Sequence, residues 1–215
     1  MAKGISRERI VQTALELLNA EGIEGVTARA LADRLGVRAP ALYWHVSSKQ
    51  EILDEMATEI RRRMAATLAA QPQPEGWRDG LAAFARVIRA EYLRYRDGAR
   101  TFSGTRVTDV DVLRAQEFWM SRWTHSGLDL QHATAAVQLV NALVVGFVIE
   151  EQSIAASEHF LLTATDPAIA AEVPLVTEAG RQLLSPSDER FEQYLDVVLT
   201  GIAVRFAGQA PPADA

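Results

Sequence analysis

From Arg7 to Ala20 the apolar residues Ile10, Ala14, Leu17 and Leu18 recur at three- and four-residue intervals, the spacing that lines one face of a helix. Ser6 is placed to cap its start and Gly22 to stop it. Thr27 opens a second helix through Arg34, Gly36 breaks it, and a third helix is expected from about Arg38 to His45. Ser48-Lys49-Gln50-Glu51 has capping-box spacing and starts a fourth helix toward Leu68. Gln71-Pro72-Gln73-Pro74-Glu75-Gly76 then interrupts the pattern, because two prolines and a glycine do not fit a helix interior. Further helices are expected over Trp77–Tyr95, over Asp109–His125 with Gly127 closing it, over Leu130–Ala155, and from Pro186-Ser187-Asp188 through Phe206. Arg96–Thr108 reads as a short helical or turn-rich stretch and Ser157–Pro174 as an irregular connection. No run alternates apolar and polar residues, so the class is all-α.

The segment from Thr27 to Val46 has the demands of a helix-turn-helix: Leu31, Leu35, Val37 and Leu42 for a small shared core, Ala32 for close approach, and Gly36 for a positive φ in the turn. An ordinary αα-hairpin with a glycine cap would satisfy the same pattern. The third helix adds chemistry, because Tyr43, Trp44 and His45 stand where a solvent-facing helix usually carries Glu and Lys. Such side chains donate to phosphate and pack on sugar and thymine methyls. Pro40 falls in the first turn, where its missing N–H costs nothing. Lys49 sits at the start of the next helix, among free N–H groups suited to an anion.

The formal net charge of -6 looks wrong for a nucleic-acid partner, but it is unevenly spread. Residues 1–65 hold ten basic and nine acidic side chains, and residues 66–215 hold twelve and nineteen. Between Arg29 and Lys49 four basic residues face one acidic. Phosphate neutralisation depends on the contact surface, so an acidic remainder does not exclude DNA. With 48% hydrophobic and 23% charged residues the chain is an ordinary globular protein. The absence of cysteine excludes disulfides and thiolate chemistry and suits the cytoplasm, where we expect the protein to reside. No apolar leader and no run of eighteen apolar residues occurs, so no membrane partner is expected.

Ala14-Leu15-Glu16-Leu17-Leu18, Gly22-Ile23-Glu24-Gly25-Val26-Thr27, Leu35-Gly36-Val37 and Leu42-Tyr43-Trp44-His45-Val46 resemble the N-terminal domain of the TetR family of transcriptional regulators. Arg96-Asp97-Gly98-Ala99, Gly104-Thr105-Arg106 and Gly146-Phe147-Val148-Ile149-Glu150-Glu151-Gln152 resemble the C-terminal domain of the family's tetracycline-binding branch. The resemblance implies a homodimer whose third helices enter successive major grooves of a palindromic, double-stranded operator. It places Thr27, Arg29, Arg38, Ala39, Pro40, Ala41, Tyr43, Trp44, His45 and Lys49 at DNA-contacting positions. Arg29 is the candidate guanine reader. The domains then run 1–66 for DNA binding, including the start of the connecting helix, and 67–208 for ligand sensing and dimerisation. The tail 209–215 is expected to be disordered.

By the same resemblance Phe84, Ile88, Phe102, Trp119, Trp123 and Ala142 wall a ligand pocket, with Thr105, Arg106 and Glu150 as its polar contacts. The related tetracycline binders hold a magnesium chelate with histidines and an asparagine, and the matching positions here are Met64 or Ala65, Phe84, Phe102 and Ala142. Magnesium-tetracycline is therefore not the expected effector. No cofactor is expected, and the small-molecule effector should be mostly apolar or aromatic. The stretch Arg96–Arg106, with Gly98 and Gly104, is the segment expected to move, unless it is only a surface turn. An enzyme is not expected, since His45, His125, His132 and His159 are scattered without metal spacing. A transcriptional activator of the same fold, or a helical ligand-binding dimer without DNA function, remains as an alternative.

Overall fold

The computed structural model describes residues 5–156 and 166–206. The first nine residues of the expected 157–174 connection, and the tail 209–215, lie outside the described residues. Among the described residues the chain forms eleven α-helices and no strand. They are α1 Arg7–Glu21, α2 Ala28–Leu35, α3 Ala39–Leu42, α4 Lys49–Ala70, α5 Trp77–Leu93, α6 Gly98–Phe102, α7 Val110–His125, α8 Leu130–Ala155, α9 Pro167–Glu172, α10 Pro174–Leu183 and α11 Ser187–Phe206.

The caps are those expected from sequence. Ser6 Oγ accepts from Arg9 N at 3.3 Å, Thr27 Oγ1 from Ala30 N at 3.1 Å, and Ser48 Oγ from Glu51 N at 3.1 Å. The capping box of α4 is displaced by one residue, because the Glu51 carboxylate accepts from Ser47 N and Ser47 Oγ, both at 2.6 Å. Gly36 has φ 70°, ψ 33°, the left-handed conformation that turns α2 into α3. Ile10, Leu17, Leu18, Leu31, Leu42 and Val46 are buried together, so α1 to α3 share one core with the start of α4. Truncating Leu31 to alanine in that core would cost roughly 2–5 kcal/mol.

Two expectations are corrected. The third helix ends at Leu42 rather than His45. The Leu42 carbonyl accepts from both His45 N at 2.9 Å and Val46 N at 3.0 Å, a tightened turn that leaves Tyr43, Trp44 and His45 in the corner before α4. The end of the expected irregular connection, and the chain after it, is helical. Pro167 and Pro174 begin α9 and α10 instead of breaking structure, with Asp166 Oδ1 accepting from Ala168 N and Ile169 N at the first of these starts.

The helix α4 belongs to both halves. It packs on α1 of the head and on α5, α6 and α7 of the larger half. Four of its side chains bond the segment after α6: Asp54 to Arg106, Thr58 to Thr108, Arg61 to Thr105 and Arg62 to Asp109. A second junction joins the head to the α5–α6 corner, where Ile23 N donates to Asp97 Oδ2 at 3.2 Å and Arg96 N to Asn19 Oδ1 at 3.1 Å. The 26-residue α8 is long and apolar enough to match a membrane span by length and composition, yet it packs on α5, α6, α7 and α11. Its inner face is Ala133, Ala136, Val140, Val144, Phe147 and Val148.

Candidate DNA interface and ligand cavity

The head presents one polar, aromatic surface. Thr27, Arg29, Arg38, Pro40, Tyr43, Trp44 and Lys49 are exposed, and Ala39, Ala41 and His45 are half-buried beside them. Trp44 is 88% exposed and Tyr43 56%, which for such large side chains is a cost to solvation that a bound partner would recover. Among the described residues no hydrogen bond or ion pair occupies the side chains of Arg29, Arg38, Tyr43 or His45. Neighbouring Arg34, by contrast, pairs with Glu21 at 3.5 Å. Among the described residues Lys49 Nζ reaches only the Ile23 carbonyl, at 3.5 Å. Thr27 uses its oxygen as a cap and keeps its hydroxyl proton for a further acceptor. All ten expected contact residues therefore lie on the α2–α3–α4 head, several with donors free.

A cavity of about 270 Å³ lies between α4, α5, α6, α7 and α8. Of the residues read from sequence as a pocket wall, Phe84, Ile88, Phe102 and Trp119 line it, and Tyr92, Met64 and Leu68 add to the apolar wall. Trp123 stands behind that wall, edge-on to Phe84 at 5.6 Å between ring centres and tilted on Trp119 at 6.4 Å. Gly80 makes room for it, since a Cβ there would lie 2.6 Å from Trp123 Nε1. The other expected residues are placed elsewhere. Ala142 and Glu150 are on exposed positions of α8, and the Arg106 side chain is 81% exposed, held by Asp54 outside the cavity. Thr105 does not line the cavity but accepts from Arg61 Nη2 at 3.0 Å.

The polar lining is instead Arg61 from α4, Ser103 after α6, Gln116 from α7, and Gln138 and Asn141 from α8. Burial pushes the Arg61 guanidinium below its usual pKa, an effect that the nearby Tyr92 and Asp54 partly oppose. Burial also raises the Tyr92 phenol, so both are poor places to leave an unmatched charge. Asp54 is 1% exposed; burial pushes its carboxyl up, but hydrogen bonds from Gln50, Arg106 N and Arg106 Nε outweigh that and hold it below the ordinary carboxylate value.

Among the described residues the cavity lining includes no histidine, aspartate or glutamate, and no group of three such side chains is arranged to hold a metal. The oxygens the lining offers are the neutral ones of Ser103, Gln116, Gln138 and Asn141, beside the Arg61 guanidinium.

Comparisons with known proteins agree with both halves of the molecule. Residues 10–56 match the sequence pattern of the bacterial regulatory proteins of the tetR family, and residues 70–206 that of the tetracyclin repressor-like C-terminal domain. The chain is 35% identical over 206 residues to the class D tetracycline repressor protein of Escherichia coli, covering 94% of this chain and 90% of that one. Among solved structures, a possible TetR family transcriptional regulator from Streptomyces coelicolor superposes with TM-score 0.80 at 33% identity, over 93% of this chain and 100% of that one. The TetR family protein ActR of Streptomyces coelicolor, solved in complex with (S)-DNPA, gives TM-score 0.74 at 28% identity over 94% and 98%. These relatives are regulators rather than enzymes. With its two family patterns, its exposed helix-turn-helix and its interhelical cavity, the chain belongs to the TetR family of DNA-binding, ligand-responsive transcriptional regulators.

Proposed function

We propose that the protein is a homodimeric repressor acting in the cytoplasm, released from a palindromic operator when an aromatic small molecule enters the cavity. The observation that carries the DNA half is the surface of Arg29, Arg38, Tyr43, Trp44 and His45, exposed or half-buried and unengaged among the described residues. A two-headed reader also needs a self-complementary face. Leu139, Ala142 and Gly146 on α8, with Tyr194, Val197, Gly201 and Val204 on α11, are apolar or small and outward-facing. Among the described residues, and apart from the adjoining stretch of the same helix, no atom lies within 4 Å of a Cβ built on Gly146 or Gly201, which leaves room for a second copy to approach closely. Two copies pairing α8 and α11 would make a four-helix bundle and cover this face.

Release follows from α4, which starts beneath the DNA-reading corner and ends in the cavity wall. An effector that fits one placement of α4 better than another shifts the spacing of the two heads, by no more than its own difference in affinity for the two states. Titrating a protein–operator complex with micromolar magnesium and tetracycline tests the effector reading. The complex is expected to remain intact, and release would overturn it.

A further inference from the structure

Resting on that reading of the cavity, we infer that the effector is an aromatic acid whose anionic oxygens are received by Arg61. The argument begins with an imbalance of charge. Arg61 Nη2 donates to the Thr105 carbonyl at 3.2 Å and to Thr105 Oγ1 at 3.0 Å, but Nη1 is buried without a hydrogen-bond partner among the described residues. Asp54, whose negative charge also acts on Arg61, is already committed to Gln50 and Arg106. A cation that is desolvated and tied only to neutral oxygens is a costly arrangement unless a ligand completes it.

The remaining lining decides what kind of ligand can do so. Gln116, Gln138, Asn141 and Ser103 are neutral, so nothing else on the cavity wall answers the charge. Around them stand the faces and edges of Phe84, Tyr92, Phe102 and Trp119. Roughly 150 Å³ of dry apolar cavity suffices for one benzene. The 270 Å³ here therefore has room for about two fused rings and a substituent. A carboxylate on such a ring system can accept two parallel N–H bonds from the guanidinium fork, a geometry that a neutral amide does not match and that lysine reproduces only as a point charge. Thr105 lies three residues after the end of α6, so drawing Arg61 toward a ligand also loosens its hold on that segment.

The test uses the full-length protein and two probes of equal size, 2-naphthoate and its neutral analogue 2-naphthamide, titrated by calorimetry. Wild type is expected to bind the acid at least about ten-fold more tightly, equivalent to about 1.4 kcal/mol. Arg61→Met, which keeps the side-chain length, should bring the two probes within about two-fold, while Arg61→Lys should retain part of the preference. Thermal melts of each variant establish that it is folded. Equal affinities in wild type, a preference surviving in a folded Arg61→Met, or no binding of either probe at millimolar concentration would each overturn the inference. Operator release is read in the same samples. Acid-selective binding without release supports the anion site and counts against release by this cavity, whereas release by the amide with no acid preference does the opposite.

Discussion

Replacing Asp54 with alanine probes the joint between the DNA head and the sensing domain. The carboxylate is 1% exposed and accepts from Gln50 Nε2 at 3.0 Å, Arg106 N at 3.1 Å and Arg106 Nε at 3.1 Å. The Arg106 guanidinium is mostly in water, so its ionic share is only about 0–1 kcal/mol. The larger loss is the buried acceptor for the Arg106 N–H and the Gln50 amide, at about 1–3 kcal/mol. The expected destabilisation is about 1–4 kcal/mol in total. For a chain of this length that lowers Tm by roughly 2–16 °C, measured at fixed protein concentration. The pH dependence adds a sign. Because the folded-state pKa lies below the unfolded one, the contribution is complete above the ordinary aspartate value near 4 and disappears as pH falls through the folded value. Urea titrations of wild type and Asp54→Ala should therefore differ most at neutral pH and converge in acid. A difference below about 0.5 kcal/mol at pH 7, or one that widens toward low pH, would refute the reasoning.

Three further outcomes follow from the surface. Arg29→Ala should leave Tm unchanged, since the side chain is exposed, and weaken operator binding by about 1–3 kcal/mol with relaxed preference at one guanine, read by gel shift on substituted half-sites. Lys49→Ala should weaken binding evenly across operator variants and reduce the slope of log affinity against log salt by about one per head, measured by anisotropy over a salt series. Val197→Asp, at a position 70% exposed in the single chain, should give monomers in sedimentation velocity and lose tight operator binding while each chain stays helical by circular dichroism. Dimers that persist would place the twofold face elsewhere.

The helix-turn-helix was legible because its constraints are local: a capping threonine, a glycine at positive φ and apolar residues at fixed spacing. The length of α3 was not, since the shared carbonyl of Leu42 depends on where α4 begins. The aromatic cavity wall was also legible, whereas its polar lining was missed. Arg61, Arg62 and Arg63 look alike in sequence, and polar residues on an amphipathic helix read the same whether they face water or a cavity. One signal was present, because Arg61, Ala65 and Leu68 share a face at i, i+4 and i+7, and all three line the cavity. On α8 a shift of one residue separates Asn141, which lines the cavity, from Ala142, which faces outward with Leu139 and Gly146. Pro167 and Pro174 misled for a related reason, since a proline in the first turn starts a helix as readily as one further in breaks it.

Selection of bound duplexes from a random DNA pool by the full-length protein tests the central claim most directly. Two heads related by a twofold axis should enrich an inverted repeat with half-site centres about one helical turn, roughly 10 base pairs, or a multiple of it, apart. Enrichment of no sequence, or of a single unrepeated motif, would contradict it.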